Sequence, residues 1–370
     1  MMLLRRLIQH ALPLEIVEMI IGHLIYDMPS LLACSLTCYS WYIATVPHLH
    51  YTLIIHRHPN PAEEFGSKRP KALSHMHKLG LLPLVKKFEV RQYHFSCDWV
   101  GSFSPQRLNR HLLRGYTALT DVEELGIDHL DIPEFMPRIR RYFGHFLPTV
   151  RSLALRAPKG SRRQIIYFIG LFQHLEDLKL LYDRANSQDE PTDDPMLTPP
   201  FAPPLRGRLT MAHFTRVGLL KDMIDLFGGV RFRHMDLCNV DGMRLLLDSC
   251  ATTLETLRLY PTDPRGEGVS LEGVEGLVND FTARSSLRDF DLSRNRSLRT
   301  LRMTASSIVD GEPGFVAYVL STIASPTPLE VIILCREYNF VAVAPPWREL
   351  RDRRIFSEMW HPDTGNIMAL

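Results

Sequence analysis

A short apolar phrase recurs along most of this chain. An apolar residue is followed by two variable residues, a second apolar residue, one variable residue and a third apolar residue. The last two apolar positions are two residues apart, which is the side-chain period of a strand that buries one face. The phrase predicts a strand at Val85, Phe88 and Val90; Val122, Leu125 and Ile127; Val150, Leu153 and Leu155; Leu175, Leu178 and Leu180; Phe232, Met235 and Leu237; Leu254, Leu257 and Leu259; Leu298, Leu301 and Met303; and Leu329, Ile332 and Leu334. Leu209 and Met211 form a degenerate copy.

Amphipathic stretches of helical character separate the phrases. They lie at residues 106–113, 132–146, 163–172, 220–227, 242–249, 271–281 and 314–323. Each strand–helix unit has an apolar face that it cannot bury alone, so the units must stack, as in a solenoid. The predicted fold class is α/β, with a curved parallel sheet and outer helices.

The phrase resembles the strand segment of a leucine-rich repeat. The asparagine or cysteine that usually follows that segment is mostly absent, although Cys238 and Asn239 come close. The resemblance therefore implies an irregular, divergent array. One register stays ambiguous, because Leu287, Phe290 and Leu292 also fit the phrase just before Leu298; Leu298 is the favoured register residue.

The N-terminal part of the chain has a different pattern, which predicts three short helices. Pro13 suits the first position of a helix, Ser30 suits the N-cap of the second, and Pro47 closes a third helix that carries Trp41. A unit of under about 50 residues is marginal as an independent core. The surplus of apolar side chains therefore predicts a partner surface, although a helical hairpin that caps a larger core is the alternative.

This N-terminal pattern resembles the F-box, a helical module that binds the Skp adaptor of cullin-RING ubiquitin ligases. The residues that carry the resemblance are Leu12, Pro13, Glu15, Ile16, Ile20, Leu24, Leu31, Leu32, Leu36, Cys38 and Trp41, and all of them except Glu15 and Leu36 are implied as Skp contacts. Tyr39 and Ser40 stand where a basic pair is common in the family. F-box proteins of the leucine-rich-repeat type are substrate receptors, so the resemblance implies an adaptor that holds a target and performs no bond chemistry.

Composition shifts divide the chain further. We predict an F-box-like domain at residues 1–55, a linker at 56–80 and the repeat region at 81–344. An acidic and proline-rich mobile loop is predicted at 185–207. Residues 345–370 are charged and contain two tryptophans, which suits either a cap on the last strand or a basic interaction tail.

The overall charge excludes a global electrostatic partner. The chain has 43 Lys and Arg against 41 Asp and Glu, a formal net charge of +2, so neither nucleic acid nor a membrane surface is expected as a partner. The scattered cysteines indicate reduced, buried thiols. No apolar run approaches a membrane span, and polar residues interrupt the leader-like N-terminus, which leaves a mitochondrial presequence as the alternative. The expected location is cytoplasmic, nuclear or both.

Catalytic and metal-binding patterns are weak. The sequence has no phosphate loop, dinucleotide fingerprint, zincin motif or nucleophile elbow. His56 with His58, and His75 with His77, have a spacing that suits metal ligands, but no Cys or acidic pair supports them. Basic residues at 138–163 favour a solvated or salt-bridged face over phosphate binding. We predict a non-enzymatic protein with no cofactor and no metal, and an enzyme with a dispersed site is a third alternative.

The strand period also predicts where a target binds. Residues between the apolar positions face the other side of the sheet, on the concave side of the predicted array. They are Arg156, Lys179, Asp236, Arg258, Tyr260 and Arg302. This mostly basic stripe suits a target protein with an acidic or phosphorylated degron, and a plain solvated face is the alternative. The predicted function is thus the substrate-recognition adaptor of a Skp–cullin–F-box ubiquitin ligase. A non-catalytic interaction scaffold outside any ligase is the alternative.

Overall fold

The structure is a computed structural model, which divides into two compact units. Unit 1 comprises Met1–Gly126 and Arg138–Thr149, and unit 2 comprises Ile127–Pro137 and Val150–Leu370. The residues that the structure describes are 12–57, 75–92, 118–128, 132, 144–158, 160–181, 204–214, 217–240, 242–260, 291–305, 319, 322–323, 329–335, 359–360 and 367–368.

Unit 1 begins with three helices, as predicted. They are α1 (Leu14–His23), α2 (Met28–Ser35) and α3 (Tyr39–Leu49). Their shared core consists of buried Val17, Ile21, Leu31 and Ala44, against which Leu24, Cys34, Trp41 and Leu49 pack. The spacing of Val17 and Ile21 places both on one face of α1, so that face alone faces the core.

The helix ends differ from the prediction at two prolines and one cap. Pro13 is the N-cap of α1 and not its first residue. Asp27, not Ser30, caps α2: its carboxylate accepts the Ser30 backbone N–H at 3.2 Å and the Ser30 hydroxyl at 2.6 Å. A carboxylate is a better acceptor for these donors than a hydroxyl. Pro47 lies inside α3, near its C-terminal end, rather than closing it.

Parallel strands follow the helices in unit 1. β1 (Thr52–Arg57) pairs with β2 (Lys87–Gln92), and Leu53 aligns with Phe88 and Ile55 with Val90. β3 (Glu124–Asp128) enters beside β2, where the Glu123 and Glu124 amides donate to the Lys86 carbonyl. The division between the units falls within β3.

Unit 2 alternates strands and helices. Its elements are β4 (Ser152–Arg156), α4 (Arg162–Ile169), β5 (Asp177–Leu181), β6 (Leu205–Phe214), α5 (Val217–Leu226), β7 (Val230–Val240), α6 (Met243–Ser249), β8 (Thr256–Tyr260), β9 (Thr300–Ala305) and β10 (Glu330–Cys335), followed by β11 (Met359–Trp360) and β12 (Ile367–Met368). Strands β4 to β10 are hydrogen-bonded neighbours in chain order and pair in parallel. The α/β class with a parallel sheet is thus confirmed.

The apolar phrases set the strand register. One row of aligned, buried residues crosses the sheet through Leu153, Leu178, Leu209, Met235, Leu257 and Leu301. In β4 and β5 these residues alternate with half-buried ones. The degenerate copy at Leu209 is therefore a full strand, and Leu298 is the correct register residue before β9.

The register predicted for the last strand of the sheet, β10, from Leu329, Ile332 and Leu334 is wrong by one residue. Val331 aligns with Leu301 and Ile333 with Met303, so Ile332 aligns with Arg302 and not with the apolar row. The predicted loop at 185–207 also ends too late, because β6 begins at Leu205. Gly207 takes a positive φ of 88° at a register irregularity in β6, a conformation that favours glycine.

Three predicted helices coincide with α4, α5 and α6. The stretches at 106–113 and 271–281 lie outside the described residues, as do most of 132–146 and 314–323 and the predicted loop up to residue 203. At the C-terminus β11 pairs antiparallel with β12 and contacts β10. Within the described parts of the chain, no helix has the length and apolar character needed to cross a membrane.

Candidate functional site

The helices of unit 1 present apolar side chains away from their own core. On α1, Ile16 and Met19 are exposed while Val17 and Ile21 are buried, so the helix has an apolar stripe outside the core. We call the exposed set on the three helices the apolar surface. It consists of Leu12, Leu14, Ile16, Met19, Met28, Leu32, Leu36, Tyr39, Tyr42 and Ile43.

Helices α2 and α3 carry no charge on this surface. No Lys, Arg, Asp or Glu occurs from residue 28 to residue 56. Leu32 is 51%, Leu36 86% and Tyr39 77% exposed. Single exposed apolar residues are ordinary, but a set of them without interspersed charges is typical of a surface that another protein covers.

The residues predicted as Skp contacts fall into two groups. Leu12, Pro13, Ile16, Leu32 and Cys38 are exposed, and Ile20 is half-buried. Leu31 is fully buried, and Leu24 and Trp41 pack against the same core. Leu31, Leu24 and Trp41 therefore hold the helices together, whereas the exposed group can meet a partner.

The sequence prediction missed part of the apolar surface. Met19, Tyr39 and Tyr42 are exposed but were not among the residues that carry the resemblance. For Tyr39 and Tyr42 the available signal was the absence of charged residues from residue 28 to residue 56.

A second candidate site lies on the polar face of the strands in unit 2. We call it the ionic face, and its residues are Asp177, Lys179, Arg208, His234, Asp236, Arg258 and Arg302. One register row runs from Lys179 through Thr210, Asp236 and Arg258 to Arg302 on successive strands β5 to β9. Adjacent strands lie about 4.8 Å apart, so each of these side chains neighbours the next.

Two ion pairs organise this face. Lys179 Nζ lies 3.0 Å from Asp177 Oδ2, which also accepts the Ser152 hydroxyl at 3.1 Å. Arg258 Nε lies 3.6 Å from Asp236 Oδ1. All four charged side chains are largely shielded, from 18% exposure at Asp236 to 32% at Arg258. These pairs are consequently less screened by salt than fully exposed pairs.

Asp236 is the most perturbed of these groups. Burial raises the pKa of its carboxyl above the ordinary 3.8, and the charge of Asp177 adds to this effect. The positive charges of Arg258, Arg208 and His234 oppose the rise in pKa without cancelling it. Desolvation disfavours the ionised carboxylate, and the neighbouring positive charges favour it.

The predicted target-binding residues are only partly brought together. Lys179, Asp236, Arg258 and Arg302 share the register row, whereas Arg156 aligns with Leu181 in the next row. Tyr260 aligns with Cys238, and its side chain lies outside the described residues. The stripe also alternates in sign, because Asp177 and Asp236 pair with two of its cations. Asp177 and Arg208 were missed, although a step of two residues along each strand would have found them.

The remaining candidates give no chemical site. His75 and His77 are exposed on a helical turn, while His58 and the His56 side chain lie outside the described residues. No group of three or more His, Cys, Asp or Glu that could hold a metal occurs in the described ranges. From the basic stretch at 138–163, Arg151 faces Glu176 at 3.5 Å and Arg162 faces Asp222 at 3.6 Å.

The cysteines do not all follow the prediction of buried thiols. Cys238 and Cys250 are buried, but Cys38 is exposed because it precedes α3 on the outside of the helical core. Burial raises the pKa of the Cys250 thiol to about 11. A thiol with so high a pKa stays protonated at neutral pH and is a poor nucleophile.

No protein-family model matches the chain, and no curated protein matches it significantly. The functional conclusion therefore rests on the apolar surface and the ionic face.

Proposed function

We propose that this chain is a substrate-recognition adaptor of a Skp–cullin–F-box ubiquitin ligase. In this proposal the helices of unit 1 bind the Skp adaptor and the repeat region of unit 2 binds a target protein. The observation that carries the proposal is the apolar surface, whose exposed Leu32, Leu36 and Tyr39 have no charged neighbours on α2 or α3.

The physical support for a protein partner is the cost of leaving this surface in water. Burying apolar area yields about 25 cal/mol per Å², so covering several leucine and tyrosine side chains offsets the entropy lost on association. Helical stripes of this kind fit into apolar grooves of partner proteins. We assign the contacts to Leu12, Pro13, Ile16 and Leu32, and a packing role to Leu31.

The mechanism is one of proximity. A receptor that holds a target beside a charged ubiquitin-conjugating enzyme raises the effective concentration of the reacting groups without supplying any. The proposal thus requires two separate binding surfaces and no catalytic residue.

The test is co-purification with matched aspartate variants. Leu32→Asp places a charge on the apolar surface, and Leu79→Asp places the same charge at a leucine of similar exposure, 56%, outside the three helices. We expect Leu32→Asp to lower Skp recovery at least tenfold, because a desolvated carboxylate costs several kcal/mol, on the order of that needed for such a loss. Leu79→Asp should bind like the parent, and equal Skp recovery with both variants would refute the proposal.

The second candidate is an interaction scaffold that is not part of a ligase. The apolar surface favours a helical partner equally in that case. Recovery of a cullin separates the two: an adaptor brings the cullin with Skp, and a scaffold brings a partner without it.

A further inference from the structure

Two arginines stand side by side on the ionic face. Arg258 on β8 and Arg302 on β9 are register partners. Like charges directly opposite on neighbouring strands are destabilising, so this arrangement costs free energy in the isolated chain. An anion bound between the two guanidinium groups would remove that cost.

The partners of the two arginines differ. Arg258 Nε lies 3.6 Å from Asp236 Oδ1, and this buried nitrogen has no hydrogen-bond partner. Arg302 is half-buried and has no ion pair among the described residues. Asp236 therefore faces Arg258, whereas Arg302 has no carboxylate at ion-pair distance among the described side chains.

From this arrangement we infer that Arg258 and Arg302 bind one oxyanion, a phosphate or a carboxylate, carried by a segment of a target protein. Guanidinium groups bind such groups through paired N–H donors, which gives both affinity and geometric selectivity. This inference specifies what unit 2 binds, and it rests on the proposed function in so far as unit 2 binds a target protein. It does not require that the helices of unit 1 bind Skp.

A protein segment fits this site better than a nucleic acid does. Asp236 lies beside Arg258, and Asp177 lies on β5 in the same face, so a polyanion that spread across the ionic face would meet two carboxylates. Nucleic-acid sites instead follow the phosphate backbone with an unbroken series of cations. A single oxyanion can occupy the arginine pair without approaching Asp177.

The test is a binding measurement on the full chain with three degenerate peptide libraries. The libraries carry phosphoserine, glutamate or serine at one fixed position and are otherwise the same. We expect binding to the phosphoserine or glutamate library and at least tenfold weaker binding to the serine library. The phosphoserine and glutamate arms distinguish the two sources of the oxyanion.

Variants then locate the site. Arg258→Gln and Arg302→Gln should each weaken oxyanion-dependent binding about tenfold, since a charge-assisted hydrogen bond is lost. Arg302→Lys, which keeps the charge but loses the paired donors, should lie between Arg302→Gln and the parent. Arg244→Gln removes an exposed arginine of α6, which pairs with Asp248 at 3.7 Å and does not lie on the strands, and it should have no effect. Thermal unfolding of each variant separates lost binding from lost folding.

Three results would overturn the inference. They are equal binding of the serine library, equal loss with Arg244→Gln, and stronger competition by a single-stranded oligonucleotide than by the phosphoserine library. Skp recovery measured on the same variants keeps the two proposals apart. Retained Skp binding without oxyanion binding refutes this inference alone, and the reverse refutes only the Skp proposal.

Discussion

Tyr51 links the segment after α3 to β3 within unit 1. Its hydroxyl donates to Glu124 Oε1 at 2.8 Å. Partial burial raises the pKa of Tyr51 from 10.0 to about 12, and the hydrogen bond and negative charge of Glu124 add to the rise. The folded protein therefore keeps this proton at a pH where the unfolded chain has lost it.

The raised pKa of Tyr51 predicts an alkaline loss of stability. A group whose pKa is higher in the folded state stabilises the protein below its unfolded pKa and loses that effect as pH rises toward its folded pKa. We expect the unfolding free energy to fall between about pH 10 and pH 12, and Tyr51→Phe to remove part of this fall. Chemical unfolding at several pH values checks it. Tyr39→Phe, at an exposed tyrosine, is the control, and an identical slope in parent and Tyr51→Phe would contradict the prediction.

At the residue scale, the sequence motif did not predict which of two neighbouring apolar side chains faces the core. The motif treated Leu31 and Leu32 alike, yet Leu31 is buried and Leu32 is exposed. Adjacent residues on a helix differ by about 100° in direction, and only the placement of α3 against α2 decides which of them faces the core. The ion pair between Asp236 and Arg258 likewise depends on the register between two strands, β7 and β8.

At the element scale, strands were predicted well where one face is apolar and the other polar. The error at β10 has a clear cause, because Val331, Ile332, Ile333 and Leu334 are all apolar. A continuous apolar run does not distinguish two registers that differ by one residue, and such a shift exchanges the two faces. The start of β6 was misjudged because proline and glycine around Leu205 indicate a loop.

Gly207 provides a test of the β6 irregularity. A Cβ at this position would collide with the backbone carbonyl of Glu176, which also accepts the Arg208 amide at 2.8 Å. We expect Gly207→Ala to cost about 3 kcal/mol or more, since a backbone atom cannot move aside without breaking the sheet. Urea unfolding of the full chain measures it.

The matched control is Gly228→Ala. Gly228 also has a positive φ, 63°, but a Cβ there would meet nothing within 4 Å. Gly228→Ala should lower the unfolding free energy only by the cost of placing an alanine in the left-handed backbone conformation, about 1 kcal/mol. Equal destabilisation by both substitutions would show that the close approach to Glu176 has no energetic effect.

At the scale of the whole molecule, the alternation of strand and helix was sufficient to predict an α/β chain with a parallel sheet. The boundary of the units was not predictable in the same way. A change in sequence pattern suggested an end of the first domain near residue 55, whereas compactness divides the chain within β3. Such a boundary depends on which elements pack together. In unit 1, for example, the ring centroids of Phe88 and Phe146 lie 6.2 Å apart although the two residues are far apart in the sequence.

The association state of the free chain is the last prediction. An exposed apolar set whose α2 and α3 part carries no charge promotes association when its partner is missing. We expect the purified chain to self-associate with rising concentration, and Leu36→Lys to suppress this, because Leu36 is 86% exposed and contributes little to the core. Leu79→Lys introduces the same charge outside the three helices and should leave self-association unchanged. Light scattering after size-exclusion chromatography measures the effect.

Addition of the Skp adaptor should convert the associated chain into a complex of defined mass, since both processes use the same surface. A parent chain that stays monomeric at every concentration, or one that Leu79→Lys and Leu36→Lys affect equally, would contradict the assignment of the apolar surface as a binding site.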